Sequence, residues 1–166
     1  MRGVIRNKER TLSDEEALAL VQAAEHGVLA TVNEVGQPCT VALNHIYQDG
    51  VLYFHTGLTG EKLDNIVVNP QVSYFIVGVA DVIFDQFTTA FSSAVVNGTM
   101  EVIEDFDERL MALTELVNRF SNDEIPDKVK HDFIEDGVKC VKILKLTPEH
   151  ITGKARLSRK RPCLVY

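Results

Sequence analysis

The segment "CTVALNHIY", residues 39–47, carries aliphatic side chains on both of its faces: Val41 and Leu43 on one parity, Ala42 and Ile46 on the other. A strand in a sheet with one wet face alternates apolar and polar residues, so this pattern requires cover on both sides. The flanking segments share it. "VLATV" begins at Val28 and "VLYFHT" at Val51, and the connections are a turn at 33–36 and an Asp49-Gly50 pair, a strong hairpin signal. Short, doubly buried, hairpin-linked strands imply a small barrel whose outside is covered by helices or by a second subunit.

The remaining chain supplies three further strands and the helices. Ser13 and Glu16 have capping-box spacing, and Ala17, Leu18, Leu20, Val21 and Ala24 recur at helical spacing, which predicts a helix over 13–25. A short helix is expected over 61–68, a longer one over 106–120, and a helical turn or two over 126–136. The fourth strand is "QVSYFIVG", the fifth the long run 88–104 with Gly98 as a bulge, and the last "VKCVKILKLTP". Strands one to three read as a meander. The expected class is α+β, mainly β: six antiparallel strands in a barrel with flanking helices, forming one domain over 1–166.

The composition limits the function. The 166 residues suit one domain, and 45% hydrophobic content suits a globular protein. A net charge of −7 works against general nucleic-acid binding. There is no long apolar run for a membrane helix and no signal-peptide core, so a cytoplasmic protein without membrane or nucleic-acid partners is expected. Cys39, Cys140 and Cys163 are scattered and fit neither a disulfide framework nor a zinc site; Cys39 and Cys140 read as buried strand thiols. Lys154, Arg156, Arg159, Lys160 and Arg161 are five of the 17 basic residues. They form a basic tail, about 154–166, that is either a solvated end or a segment folded over an anionic ligand.

The chemistry-bearing stretch is "YFHTGLTGEKL", residues 53–63. A strand ends at His55-Thr56, passes Gly57, Thr59 and Gly60, and enters a helix with Lys62 in its first turn. Amide groups at a helix start favour an anion, glycines let backbone approach it, and a lysine balances its charge. The spacing is neither a P-loop nor a dinucleotide fingerprint, so local chemistry leaves two readings, an ordinary turn or a phosphate cradle. No residues at metal-ligand spacing surround His55, and no nucleophile elbow is present, so no metal site is expected.

Residues 27–78 resemble the FMN-binding split barrels of the pyridoxamine 5'-phosphate oxidase superfamily, and within it the nitroimidazole-resistance-like proteins. The similarity is carried by Leu43-Asn44, Tyr47, Asp49-Gly50, Tyr53-Phe54-His55, Gly60, Lys62, Asp64, Ile66, Asn69 and Val72, with "FTTAFSSAVVNGTMEVIED" and "ITGKAR" farther on. It implies a homodimer holding FMN at its interface. By this resemblance His55, Thr56, Gly60 and Lys62 surround the phosphate and ribityl end. Val41, Ala42, Leu43 and Asn44 line the isoalloxazine ring, and Ser92, Ser93, Lys154 and Arg156 are further contacts, from the same or the other subunit.

The resemblance also implies an FMN-dependent oxidoreductase acting on a small flat aromatic acceptor such as a nitroaromatic, with His55 as the candidate proton donor or a structural residue. The alternatives are a flavin storage or sensing protein, and a split barrel holding another flat cofactor, a deazaflavin or haem. Three departures bear on specificity. Glu61 stands where the pyridoxamine phosphate oxidases carry a basic residue, and the chain ends "KRPCLVY" without their Arg/His/Asp signature. His45 stands where the nitroimidazole-resistance-like proteins usually carry tyrosine.

Overall fold

The computed structural model describes residues 5–156. Four α-helices accompany seven strands among these residues: α1 Asp14–Ala23, β1 His26–Val32, β2 Pro38–Asn44, β3 Ile46–Gln48, β4 Val51–Thr56, α2 Glu61–Val68, β5 Gln71–Ile83, β6 Thr88–Ile103, α3 Phe106–Phe120, α4 Asp127–Cys140 and β7 Lys142–Arg156. The class is α+β, as the sequence implies. The strand count is seven rather than six because 39–47 is not one strand. It breaks at His45, whose side chain is 1% exposed and turned into the core.

All pairings are antiparallel, in the order β2-β1-β5-β6-β7-β4-β3. The two ends of this order, β2 and β3, are consecutive in the chain. His45 alone separates them, so the sheet curls back on itself at that residue. Both hairpins of the expected meander form, β1 with β2 and β3 with β4 across the Asp49-Gly50 turn, and the other edge of β4 pairs with β7. The bulge expected at Gly98 is present as a register shift between Asn97 and Gly98.

Two other expectations are corrected. The helical turn or two at 126–136 is a full helix ending at Cys140, carried on by Ile134, Gly137 and Val138, its less exposed residues, which recur at helical spacing. Cys140 is consequently an exposed helix residue rather than a buried strand thiol, while Cys39 is half-buried. Helix α1 forms as predicted, with the full capping box between Ser13 and Glu16.

The inner face of the curled sheet holds the main core. Val41, Leu29, Tyr74, Val96 and Ile151 form one cross-strand row of it. Leu63 and Ile66 of α2 join this core. Each such fully buried side chain contributes roughly 1.5–3 kcal/mol by transfer from water. A second core lies on the outer face, where α3 and α4 pack Leu113, Leu116 and Val138 against Tyr53, Ile103 and Ile143. The Tyr53 hydroxyl donates to Glu108 of α3 at 2.8 Å, and Lys145 reaches the same carboxylate oxygen at 2.9 Å. The helices thus cover the outer face over β4 and the adjoining halves of β6 and β7. Over β2, β1, β5 and the other halves of β6 and β7, no helix among the described residues lies on the outer face.

Candidate functional site

The uncovered outer face is apolar at its centre. Ala42, Val28, Phe75, Val95 and Thr152 lie in one row across five strands, with Val28 39% and Phe75 42% exposed. The next row, Thr40, Ala30, Ser73, Asn97 and His150, is mostly polar. An apolar stripe bordered by polar rows on a strand surface suits a flat apolar partner.

From this row a groove of about 480 Å³ runs along β5, β6 and β7, lined by Ile5, Phe75, Val77, Phe91, Ser93 and Lys154 among others. The Ser92 hydroxyl accepts the Val79 amide at 3.0 Å, where a bulge separates Val77 from Val79. The Lys154 ammonium lies 5.5 Å from the centre of the Phe91 ring. It has no carboxylate partner among the described residues, so the groove holds one uncompensated cation against an apolar wall. Arg156 is half-exposed and pairs in register with Phe91. Arg159, Lys160 and Arg161 of the basic tail lie outside the described residues.

The β4–α2 turn is the second place where the sequence puts chemistry. Gly60 begins α2 at φ +143°, backbone open to glycine but strained for other residues, and no side chain caps the helix. The Lys62 ammonium folds back over this position, 3.7 Å from where a side chain on Gly60 would begin. Lys62 likewise has no ion pair among the described residues. A lysine held over the positive end of its own helix is electrostatically unfavourable unless an anion joins it.

His55 is exposed, on the face shared with Ile143 and Ile103. Desolvation by neighbouring atoms lowers its pKa, biasing the ring towards neutrality when nothing is bound. Thr56 points the other way and is buried. His45 and His55 do not meet. Both His45 nitrogens are engaged, Nε2 with the Val21 carbonyl and Nδ1 with the Tyr74 hydroxyl, which leaves neither for a metal.

The four β2 residues divide between two faces. Val41 and Leu43 pack on the inner core, while Ala42 and Asn44 are exposed on the outer face. The two ends of the candidate site are also apart. Thr56 pairs with Lys142 at the start of β7, and Ser93 pairs with Lys154 near its end. Twelve residues of strand, a path of roughly 40 Å, lie between them. The sequence reading missed Phe75, Val77 and Ile5 as lining residues. The signal present was the unbroken apolar run around Phe75-Ile76-Val77, apolar on both parities like residues 41–46.

The family model described as pyridoxamine 5'-phosphate oxidase matches residues 13–155. Among solved structures, a candidate 5-nitroimidazole antibiotic resistance protein from Bacteroides thetaiotaomicron is 22% identical with a TM-score of 0.71, covering 87% of this chain and 85% of its own. A FAD-binding protein from Mesorhizobium loti is 23% identical at TM-score 0.64, over 89% of this chain and 97% of its own. An FAD and heme binding protein from Mycobacterium smegmatis is 16% identical at TM-score 0.73, over 93% and 77%. No curated protein matches the chain. At these identities the structural likeness establishes the fold.

Proposed function

Because this chain belongs to the pyridoxamine 5'-phosphate oxidase family, we propose that it is an FMN-binding flavoprotein, working as a homodimer that reduces a small flat aromatic acceptor such as a nitroaromatic. The observation that carries the proposal is the unpaired Lys62 ammonium folded over the uncapped, glycine-started helix α2. Its donors fit a phosphate: amides at a helix start, a glycine that leaves room, and a cation with no ion pair among the described residues.

In this reading Gly60 and Lys62 bind the phosphate. A nearby phosphate favours the charged form of His55, which desolvation disfavours in its absence. Ala42 and Asn44 present the exposed edge of β2 to the flat ring, while Val41 and Leu43 anchor that strand in the core. Val28 and Phe75 exclude water beside it. The flavin supplies the transfer of electrons, and the protein supplies binding, orientation and electrostatics. Lys154 and Arg156 stand at the far end of β7 from the phosphate turn, with Ser92 and Ser93 of β6 beside them. A second copy, brought against the uncovered apolar face, would present them to the same ligand.

Pyridoxamine phosphate oxidation is not proposed, since Glu61 puts a carboxylate where a second phosphate-binding cation would be needed. The test is an absorption spectrum with and without FMN, then with NADH or NADPH in the absence of air. Binding followed by bleaching supports the reductase; binding without bleaching supports a storage or sensing role. No binding removes the flavin reading. Chromatography of the released cofactor separates FMN from FAD, and a Soret band would indicate haem.

A further inference from the structure

Three hydrogen bonds meet where β2 gives way to β3. His45 Nε2 lies 2.8 Å from the Val21 carbonyl, and His45 Nδ1 lies 3.0 Å from the Tyr74 hydroxyl. That hydroxyl lies 2.7 Å from the Leu43 carbonyl. Each contact needs one proton between its heavy atoms, and both carbonyls can only accept. A neutral imidazole and a phenol supply two protons for three contacts. The ring proton goes to Val21, and the single phenolic proton is contested between Leu43 and His45 Nδ1. An imidazolium supplies the third: Nδ1–H donates to the tyrosine oxygen, and the phenol donates to Leu43 alone.

We propose that His45 and Tyr74 form a proton-operated latch, in which one proton taken up from solvent at His45 Nδ1 commits the Tyr74 hydroxyl to the Leu43 carbonyl and fixes the backbone of β2. Both residues are positioning residues. His45 is 1% exposed and Tyr74 0%, so water does not supply the missing donor from bulk. The groups acting on the imidazole are few. Burial opposes its charge first, the Val21 carbonyl favours it, and Arg119 and His26 oppose it. The Arg119 guanidinium is fixed nearby by donating to the Gln22 and Ala24 carbonyls. Tyr74 keeps its proton throughout, because burial raises its pKa. The rings of His45, Tyr74 and Phe54 pack against one another, which holds the geometry while the proton changes place. The latch rests on the fold; its bearing on a ligand rests on the flavin reading, since Leu43 and Asn44 belong to the strand assigned to the ring.

The experiment follows the flavin-free protein by NMR, from neutral pH down to the onset of acid unfolding. The Asn44 amide shares a peptide group with the Leu43 carbonyl and reports on it. The latch predicts that the Asn44 amide shifts with the midpoint of the His45 ring. In Tyr74→Phe that step is lost while His45 still titrates, and in His45→Gln it is lost as well. An Asn44 amide that stays still while His45 titrates overturns the latch. So does a step unchanged in Tyr74→Phe, or a His45 that stays neutral until the chain unfolds. None of these readouts needs flavin, so failure to bind FMN would count against the flavin reading alone.

Discussion

The Lys62 ammonium folds back over Gly60, 3.7 Å from where a side chain on that glycine would begin, although both belong to the start of one helix. The arrangement collects positive charge where the helix already presents its positive end, and a bound phosphate would relieve it. Lys62→Ala should weaken FMN binding by roughly 1.5–3 kcal/mol, the scale of a hydrogen bond to a charged group. Riboflavin, which has no phosphate, should bind wild type and variant equally. Flavin fluorescence titration measures both, and equal loss for the two ligands would move the phosphate elsewhere.

His45 makes stability depend on pH. Its folded-state pKa is depressed, chiefly by burial, so the unfolded chain takes up a proton first as pH falls. Stability should therefore be full above the ordinary histidine range of about 6.5 and decline below it, by at most about 1.4 kcal/mol per pH unit for this one group. His55 is shifted in the same direction and adds to the slope. Urea unfolding across this range should show a shallower acid decline in His45→Gln than in wild type.

Gly98 is fixed by its neighbours. A side chain there would overlap the Thr147 carbonyl across the bulge that joins β6 to β7. The obstruction is backbone rather than a flexible side chain, so Gly98→Ala should cost about 3 kcal/mol or more, among the larger single-residue effects. A urea midpoint close to wild type would mean that the bulge relaxes.

Glu108 fastens α3 to the sheet by accepting from both Tyr53 and Lys145. Its pKa is lowered, first by the hydrogen bond from Lys145, and that of Tyr53 is pushed up to about 12, first by burial. Glu108→Ala should cost roughly 1–3 kcal/mol, because it strands a hydroxyl on a residue that is 5% exposed. It should also bring the Tyr53 phenol down towards the ordinary tyrosine range, which ultraviolet titration of the phenol measures.

The fold was legible wherever local chemistry is decisive. The capping box placed α1, the bulge at Gly98 was read from the chain, and strands apolar on both faces implied a small barrel, which the curled sheet bears out, with helix cover on its outer face only over β4 and the adjoining parts of β6 and β7. Long-range pairing was not legible. Nothing local says that β4 lies against β7 rather than β2. Nor does periodicity show that one buried histidine divides 39–47 into two strands, because His45 is satisfied by Val21 and Tyr74, both remote in sequence. The site was half legible for the same reason. Lys62 and Gly60 are near neighbours at one helix start, so their juxtaposition could be read from the chain. The groove joins Phe75, Ser93 and Lys154, which only the sheet order brings together.

The central claim is a flavin held between two copies. Sedimentation velocity of the protein with FMN, followed both at the protein band and at the visible flavin band, tests it most directly. The account predicts that the flavin moves with a dimer, at one flavin per chain. Flavin sedimenting with a monomer would contradict it, because the phosphate turn and the Ser93–Lys154 end of one chain lie at opposite ends of β7.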